Sequence, residues 1–262
     1  HAEGEVAAQL ALQSIAAQFQ REATPALADP TDFLNRAVIT AHQHIQRYAK
    51  LKKMADSPRT TVVAAVIQDG HVSWVNCGDS RLYWARDGVL QARTRDHSYA
   101  EMDRAGALKL AHKILNRNVL YTCLGAEARP VLDFAGPHKL QQNDRLLLCS
   151  DGLWDVLQEH ILLQRLSNSP VQDAVPALVD AALQVAGSKS DNVTAIAVQW
   201  EQAQQEPEAA DTQHGGEDTF SSTIQSLQDL EGFDVNLDEA EIERSIAEIN
   251  EAIRRSALHK KV

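Results

Sequence analysis

Residues 60–94 read TTVVAAVIQDGHVSWVNCGDSRLYWARDGVLQART, and this stretch decides the fold class. β-Branched and aromatic residues fill the runs 60–68, 71–77, 81–86 and 89–94, a composition that suits a pleated, half-buried surface. Asp69-Gly70 and Asp87-Gly88 separate the first run from the second and the third from the fourth. Such pairs tolerate the positive φ angles of a two-residue hairpin turn. The reading is an antiparallel meander of about four strands.

Helical periodicity surrounds the meander. Upstream, Val6, Leu10, Ile15 and Phe19 recur at nearly helical spacing within residues 2–20. After a loop holding Pro25 and Pro30, Thr31 or Asp32 is positioned to cap a second helix running to about Ala55, with the stripe Leu34, Val38, Ala41, Ile45 and Tyr48. Downstream, residues 96–118 are polar and irregular with short helical pieces, and 131–134 and 145–150 read as strands. Asn143-Asp144 marks the turn before the latter. A helix containing Val156, Leu157 and Ile161, another over 171–186 and a final strand over 192–200 close the compact part. This order predicts an α+β layered domain over residues 1–200, with antiparallel sheets and helices grouped outside them.

Beyond it, residues 201–220 are rich in Gln, Glu, Ala and Gly and read as a flexible linker. Residues 221–262 read as an acidic helical extension: Ile242, Ile246, Ile249 and Ile253 form a helical seam, with Asn236 and Glu239 as a capping pair. A helix over 237–258 is marginal alone, so its stripe is expected to dock on the parent domain, on a partner or on a second copy.

The 262 residues include 36 acidic and 25 basic ones, a formal charge of −11. Residues 201–262 hold 15 of the acids and 5 of the bases, so the first 200 residues are nearly neutral. No basic run supplies the phosphate neutralisation that a general nucleic-acid binder requires. No apolar run approaches the roughly 20 residues needed to span a bilayer. The three cysteines, Cys77, Cys123 and Cys149, form no CxxC pair and read as reduced thiols, as expected of a cytoplasmic protein.

Three aspartates stand at the ends of apolar strands: Asp79, Asp151 and Asp191. Each could be a turn residue. Asp151, however, follows an unusually apolar strand and leads into a helix, so a turn alone explains it poorly. Carboxylates gathered at one sheet edge suit a hard divalent ion, Mg²⁺ or Mn²⁺. The histidines offer no competing metal pattern: His42 and His44 lie two apart on the second helix, point apart and read as solvated.

Taken together, GDSR at 78–81, DHS at 96–98, SDGLWD at 150–155 and DNVT at 191–194 resemble, in order and spacing, the metal-dependent serine/threonine protein phosphatases of type 2C. SPRTT at 57–61 resembles the bacterial form of the family's Thr-Thr strand start, and His1, Gly4, Glu5 and Ala7 resemble the end of its DGxGGH segment. The resemblance implies a four-layer α/β/β/α sandwich with a two-metal centre at one end. It implies that Asp151 and Asp191 are metal ligands and that Asp79, with Asp151, serves an additional, weaker ion. Two or three Mg²⁺ or Mn²⁺ ions would then activate the water that attacks a phosphoserine or phosphothreonine ester.

It further implies that the segment opening with Asp96, His97 and Ser98 and closing with Arg117 and Asn118 is a flap influencing substrate choice. The substrate would be a phosphoprotein of a serine/threonine kinase, while the identity of the general acid stays open. In the family the metal-bridging aspartate lies just before the position matched by His1, so the sandwich is expected to lack its first strands and the chain as it stands to be inactive. The rival reading is a phosphatase-like module that binds or regulates without cleaving.

Overall fold

The computed structural model describes residues 3–104 and 119–201, with residues 103 and 104 described in their backbone only. Arg117, Asn118, His1, the linker beyond residue 201 and the 237–258 helix therefore lie outside the described residues.

Helices α1 (Gly4–Glu22) and α2 (Pro30–Leu51) come first. The cap of α2 is Asp29, whose carboxylate accepts the amides of Thr31 at 2.8 Å and Asp32 at 3.1 Å. Neither Thr31 nor Asp32 is the cap, because Pro30, with its fixed φ and missing N–H, fits the first helical position and puts the cap at Asp29, two residues before Thr31. The helix stops at Leu51, short of Ala55, and Lys53 takes a positive φ of 53° just beyond.

The meander follows as β1 (Val62–Gln68), β2 (His71–Cys77), β3 (Arg81–Arg86) and β4 (Val89–Arg93). Positive φ at Asp69, Gly70, Asp87 and Gly88 forms the two turns read from the sequence. The meander does not stay in one sheet, however. Gly78 and Asp79 carry the chain across, so that β1 and β2 join β5 (Asp133–Lys139) in a three-stranded sheet, order β1-β2-β5. Strands β3 and β4 join β6 (Arg145–Cys149) and β7 (Ala195–Gln199) in a four-stranded sheet, order β4-β3-β6-β7. In chain order α3 (Tyr99–Arg104) follows β4, while α4 (Asp151–Trp154), α5 (Glu159–Asn168) and α6 (Val171–Ala186) connect β6 to β7. The single helix expected around Val156, Leu157 and Ile161 is thus two helices, and the fifth strand begins at Asp133 and extends beyond Phe134.

Period-two alternation explains the layers. Val72 and Trp74 on β2, Leu82 and Trp84 on β3 and Leu146 on β6 fill the space between the sheets. The opposite faces carry Val75 and Cys77 towards α1 and α2. Tyr83, Ala85, Leu147 and Cys149 face α4, α5 and α6. The central strands are apolar on both faces because each sheet is covered twice, which gives the predicted α/β/β/α order. Strand β7 is an edge: Ile196 and Val198, on the same face as Leu148 and Leu146, remain 60% and 37% exposed. All three cysteines are free thiols, and Cys77 and Cys149 are buried. No described helix is long and apolar enough to cross a membrane.

Candidate functional site

Strand register brings the three aspartates to one end of the sandwich. Arg81 pairs with Cys149 across β3 and β6, and Cys149 pairs with Ala195 across β6 and β7. Asp79 lies two residues before Arg81, Asp151 two after Cys149 and Asp191 four before Ala195, so all three leave the same end of the sheet. In the other sheet Val62 pairs with Cys77, which puts Thr61 at that end as well.

Hydrogen bonds join the segments. Ser150 N–H donates to Thr194 O at 3.0 Å, Thr194 N–H donates to Ser150 Oγ at 3.0 Å, and the Ser150 hydroxyl donates to Asn192 O at 3.1 Å. The SDGLWD and DNVT motifs therefore hold each other directly. Thr61 Oγ1 and Ser80 Oγ lie 2.8 Å apart, joining the Thr-Thr start to GDSR. Gly78, at φ +108°, passes so close to the Thr61 side chain that a Cβ there would overlap it. One oxygen of each of two carboxylates is oriented by the following amide: Gly152 N–H to Asp151 Oδ1 at 2.9 Å and Asn192 N–H to Asp191 Oδ1 at 2.7 Å.

These carboxylates repel one another. Burial, followed by the neighbouring Asp151 charge, pushes the Asp79 carboxyl up to about 6. Burial, followed by Asp191, raises Asp151. The aspartates thus converge as two adjoining pairs that share Asp151. Among the described residues, no three His, Cys, Asp or Glu side chains gather tightly enough to hold a metal by themselves. What the described chain offers is an all-oxygen, mutually repelling edge whose donor chemistry fits a hard divalent ion but does not complete its shell.

Of the expected flap, the opening residues are described, and they are buried. Asp96, His97 and Ser98 are 8%, 1% and 5% exposed. Asp96 binds Arg81 through both oxygens at 2.7 Å. His97 takes the Gly78 amide on Nδ1 at 3.3 Å and returns its own N–H to Gly78 O at 2.9 Å. Ser98 Oγ accepts the Glu101 amide at 3.2 Å. His97 braces the Asp79 turn directly, Asp96 does so through Arg81, and Ser98 holds the first turn of α3. Nor is His42 solvated: it is buried, accepts the Gly125 amide on Nδ1 at 3.1 Å, and burial pushes its pKa down, as it does for His44. Sequence reasoning also missed Arg81 and Trp154, whose guanidinium and indole stack 3.4 Å apart beneath the site.

Fold and site together define an α/β/β/α sandwich with an acidic, oxygen-donor edge where strand ends from both motif halves meet. A sequence model described as Protein phosphatase 2C matches residues 1–190. The chain belongs to the protein phosphatase 2C family. It is 29% identical over 228 residues to the serine/threonine protein phosphatase PstP of Mycobacterium tuberculosis, covering 84% of this chain but only 43% of that enzyme. It is 28% identical over 205 residues to the serine/threonine phosphatase stp of Listeria monocytogenes, covering 76% of this chain and 80% of that one. Among solved structures, the catalytic domain of PstP in complex with 2 manganese ions aligns with a TM-score of 0.62 and 29% identity, covering 76% of this chain and 83% of that one.

Proposed function

We propose that the protein hydrolyses phosphoserine and phosphothreonine in proteins, in a metal-dependent reaction at the Asp79–Asp151–Asp191 edge. The observation that carries this is the register itself: three motifs far apart in sequence deliver their carboxylates to one end of the sandwich. In this reading Asp151 and Asp191 hold ions of a two-metal centre, and Asp79 with Asp151 holds a further, weaker one. Mg²⁺ or Mn²⁺ bound there supplies an activated water and neutralises phosphate oxygens.

The chain's own residues do the positioning. The Ser150–Thr194–Asn192 bonds fix the spacing of the segments that bear Asp151 and Asp191. The amides of Gly152 and Asn192 aim one oxygen of each carboxylate. A kinase-phosphorylated protein is the substrate class, which the names of the mycobacterial and listerial relatives support. The three free cysteines support a reducing, cytoplasmic setting.

The test is Mn²⁺-dependent hydrolysis of a phosphothreonine peptide by the full-length product and by its Asp151→Asn and Asp191→Asn variants. Each substitution is expected to lower kcat at least 100-fold, on the order of what losing one electrostatic stabiliser of the reaction costs. Full activity in both variants would refute the assignment. Phosphopeptide binding by the wild type without any hydrolysis would favour the non-cleaving module instead.

A further inference from the structure

Arg81, the first residue of β3, is a buried cation, its side chain only 8% exposed. Its Nε and Nη2 bind Asp96 at 2.7 Å, its Nη1 donates to the Tyr83 hydroxyl at 3.0 Å, and its guanidinium lies 3.4 Å over the Trp154 ring. Trp154 lies three residues after Asp151, at the end of the same short helix. Its indole N–H donates to the backbone carbonyl of Asp79 at 2.9 Å. A single side chain thus spans from the element that carries Asp151 to the residue that carries the neighbouring carboxylate. On the other side, His97 holds Gly78 through both its N–H and its C=O. The Asp79 turn is gripped at three consecutive peptide units, and of these grips the Trp154 one runs from the Asp151 helix.

We infer that Trp154 is a positioning residue that sets the separation of the Asp79 and Asp151 carboxylates and thereby the strength of the divalent-ion site they share. The inference rests on the metal-dependent reading above. Arg81 is the brace that keeps the indole in place: a planar guanidinium anchored by a bidentate carboxylate cannot slide, so neither can the ring stacked on it. Without the indole N–H the Asp79 carbonyl loses its partner and the turn is free to relax away from the repulsion of Asp151. The Asp151–Asp191 pair is held separately, by Ser150, Asn192 and Thr194, and is not disturbed.

The experiment is Mn²⁺ titration calorimetry on the metal-free, full-length product and its Trp154→Phe variant, with Asp79→Asn and Asp151→Asn as references and the metal-free melting temperature measured for each. Phenylalanine keeps a ring under Arg81 and removes only the donor. The expected result is a loss of about fivefold or more in the weakest Mn²⁺ affinity, the worth of one hydrogen bond. The tighter sites and the metal-free melting temperature should match wild type, and Asp79→Asn should abolish the same weak site. An unchanged weak site in Trp154→Phe overturns the inference. So does a uniform weakening of every site with a lowered metal-free melting temperature, which would mean that the indole merely supports the fold. If wild type shows no Asp151-dependent Mn²⁺ binding at all, the metal-dependent reading itself fails, and that outcome is distinct from the other two.

Discussion

Gly152, in the middle of the SDGLWD motif, shows how narrow the tolerance of the site is. It is helical, and in an ordinary helix alanine in its place would gain about 1 kcal/mol. Here a Cβ would sit 2.5 Å from the Asn192 carbonyl oxygen and 3.2 Å from a Val193 methyl. The first contact is with backbone, which cannot swing aside, so the clash wins over the propensity gain. Gly152→Ala is expected to destabilise the protein by about 1–3 kcal/mol, the usual cost of overpacking. It should also weaken Mn²⁺ binding, because the segment it pushes away, just before β7, carries Asp191. Thermal melting with and without Mn²⁺ reads both effects, and a melting temperature at or above wild type would show that the two segments separate without strain.

At the scale of elements, the pairing of β3 with β6 is fastened beyond its backbone ladder by Arg86 and Asp144. The guanidinium donates Nε and Nη2 to the two carboxylate oxygens at 2.7 and 2.8 Å, and Asp144 also accepts the Gln141 amide at 2.8 Å. Burial alone would raise the Asp144 carboxyl, but these donors outweigh it and hold the group below the ordinary carboxylate range. A depressed folded-state pKa means that the stabilisation is complete above the unfolded value, about 3.9, and is lost as pH falls through the lower folded value. Asp144→Asn should cost about 2 kcal/mol at pH 7, less than the 3–5 of a fully enclosed pair, because the Arg86 side chain is 23% exposed. The gap between wild type and variant in urea midpoint should narrow below about pH 4; a gap independent of pH would deny the ion pair its role.

The same elements show what a sequence discloses. The β-branched runs and Asp-Gly turns made the strands legible because alternation and positive φ are local properties. The exchange of strands between sheets at Gly78 was not legible from them, since it depends on which distant strand accepts each edge. The three aspartates could be picked out by motif, and register accounts for their meeting. Arg81, His97 and Trp154 could not be assigned in the same way, because their partners lie 15, 19 and 75 residues away. His42 was misread for a related reason: its helical neighbours look solvated, while its partner, Gly125, is 83 residues distant.

For the whole molecule, charge is distributed unevenly, with a nearly neutral sandwich followed by 61 residues, 202–262, that hold most of the net −11. Removing residues 205–262 takes away 14 acidic and 5 basic side chains. An acidic phosphopeptide is an anion, so an acidic segment on the same chain lowers its local concentration at the proposed Asp79–Asp151–Asp191 site without touching it. At low ionic strength, where the Debye length is near 30 Å at 0.01 M, the shortened protein should show a KM for an acidic phosphopeptide about two- to threefold below that of the full chain. The two should converge near 1 M salt, where screening acts within about 3 Å. A basic phosphopeptide should show the opposite sign, because the tail then attracts it. If the ratio of KM values is the same at every salt concentration and for both peptides, the tail acts by contact and not through its field. The number of chains per particle, given by the mass in solution divided by that of one chain, then identifies that contact: a halved number after deletion points to a second copy, and an unchanged one to the parent domain.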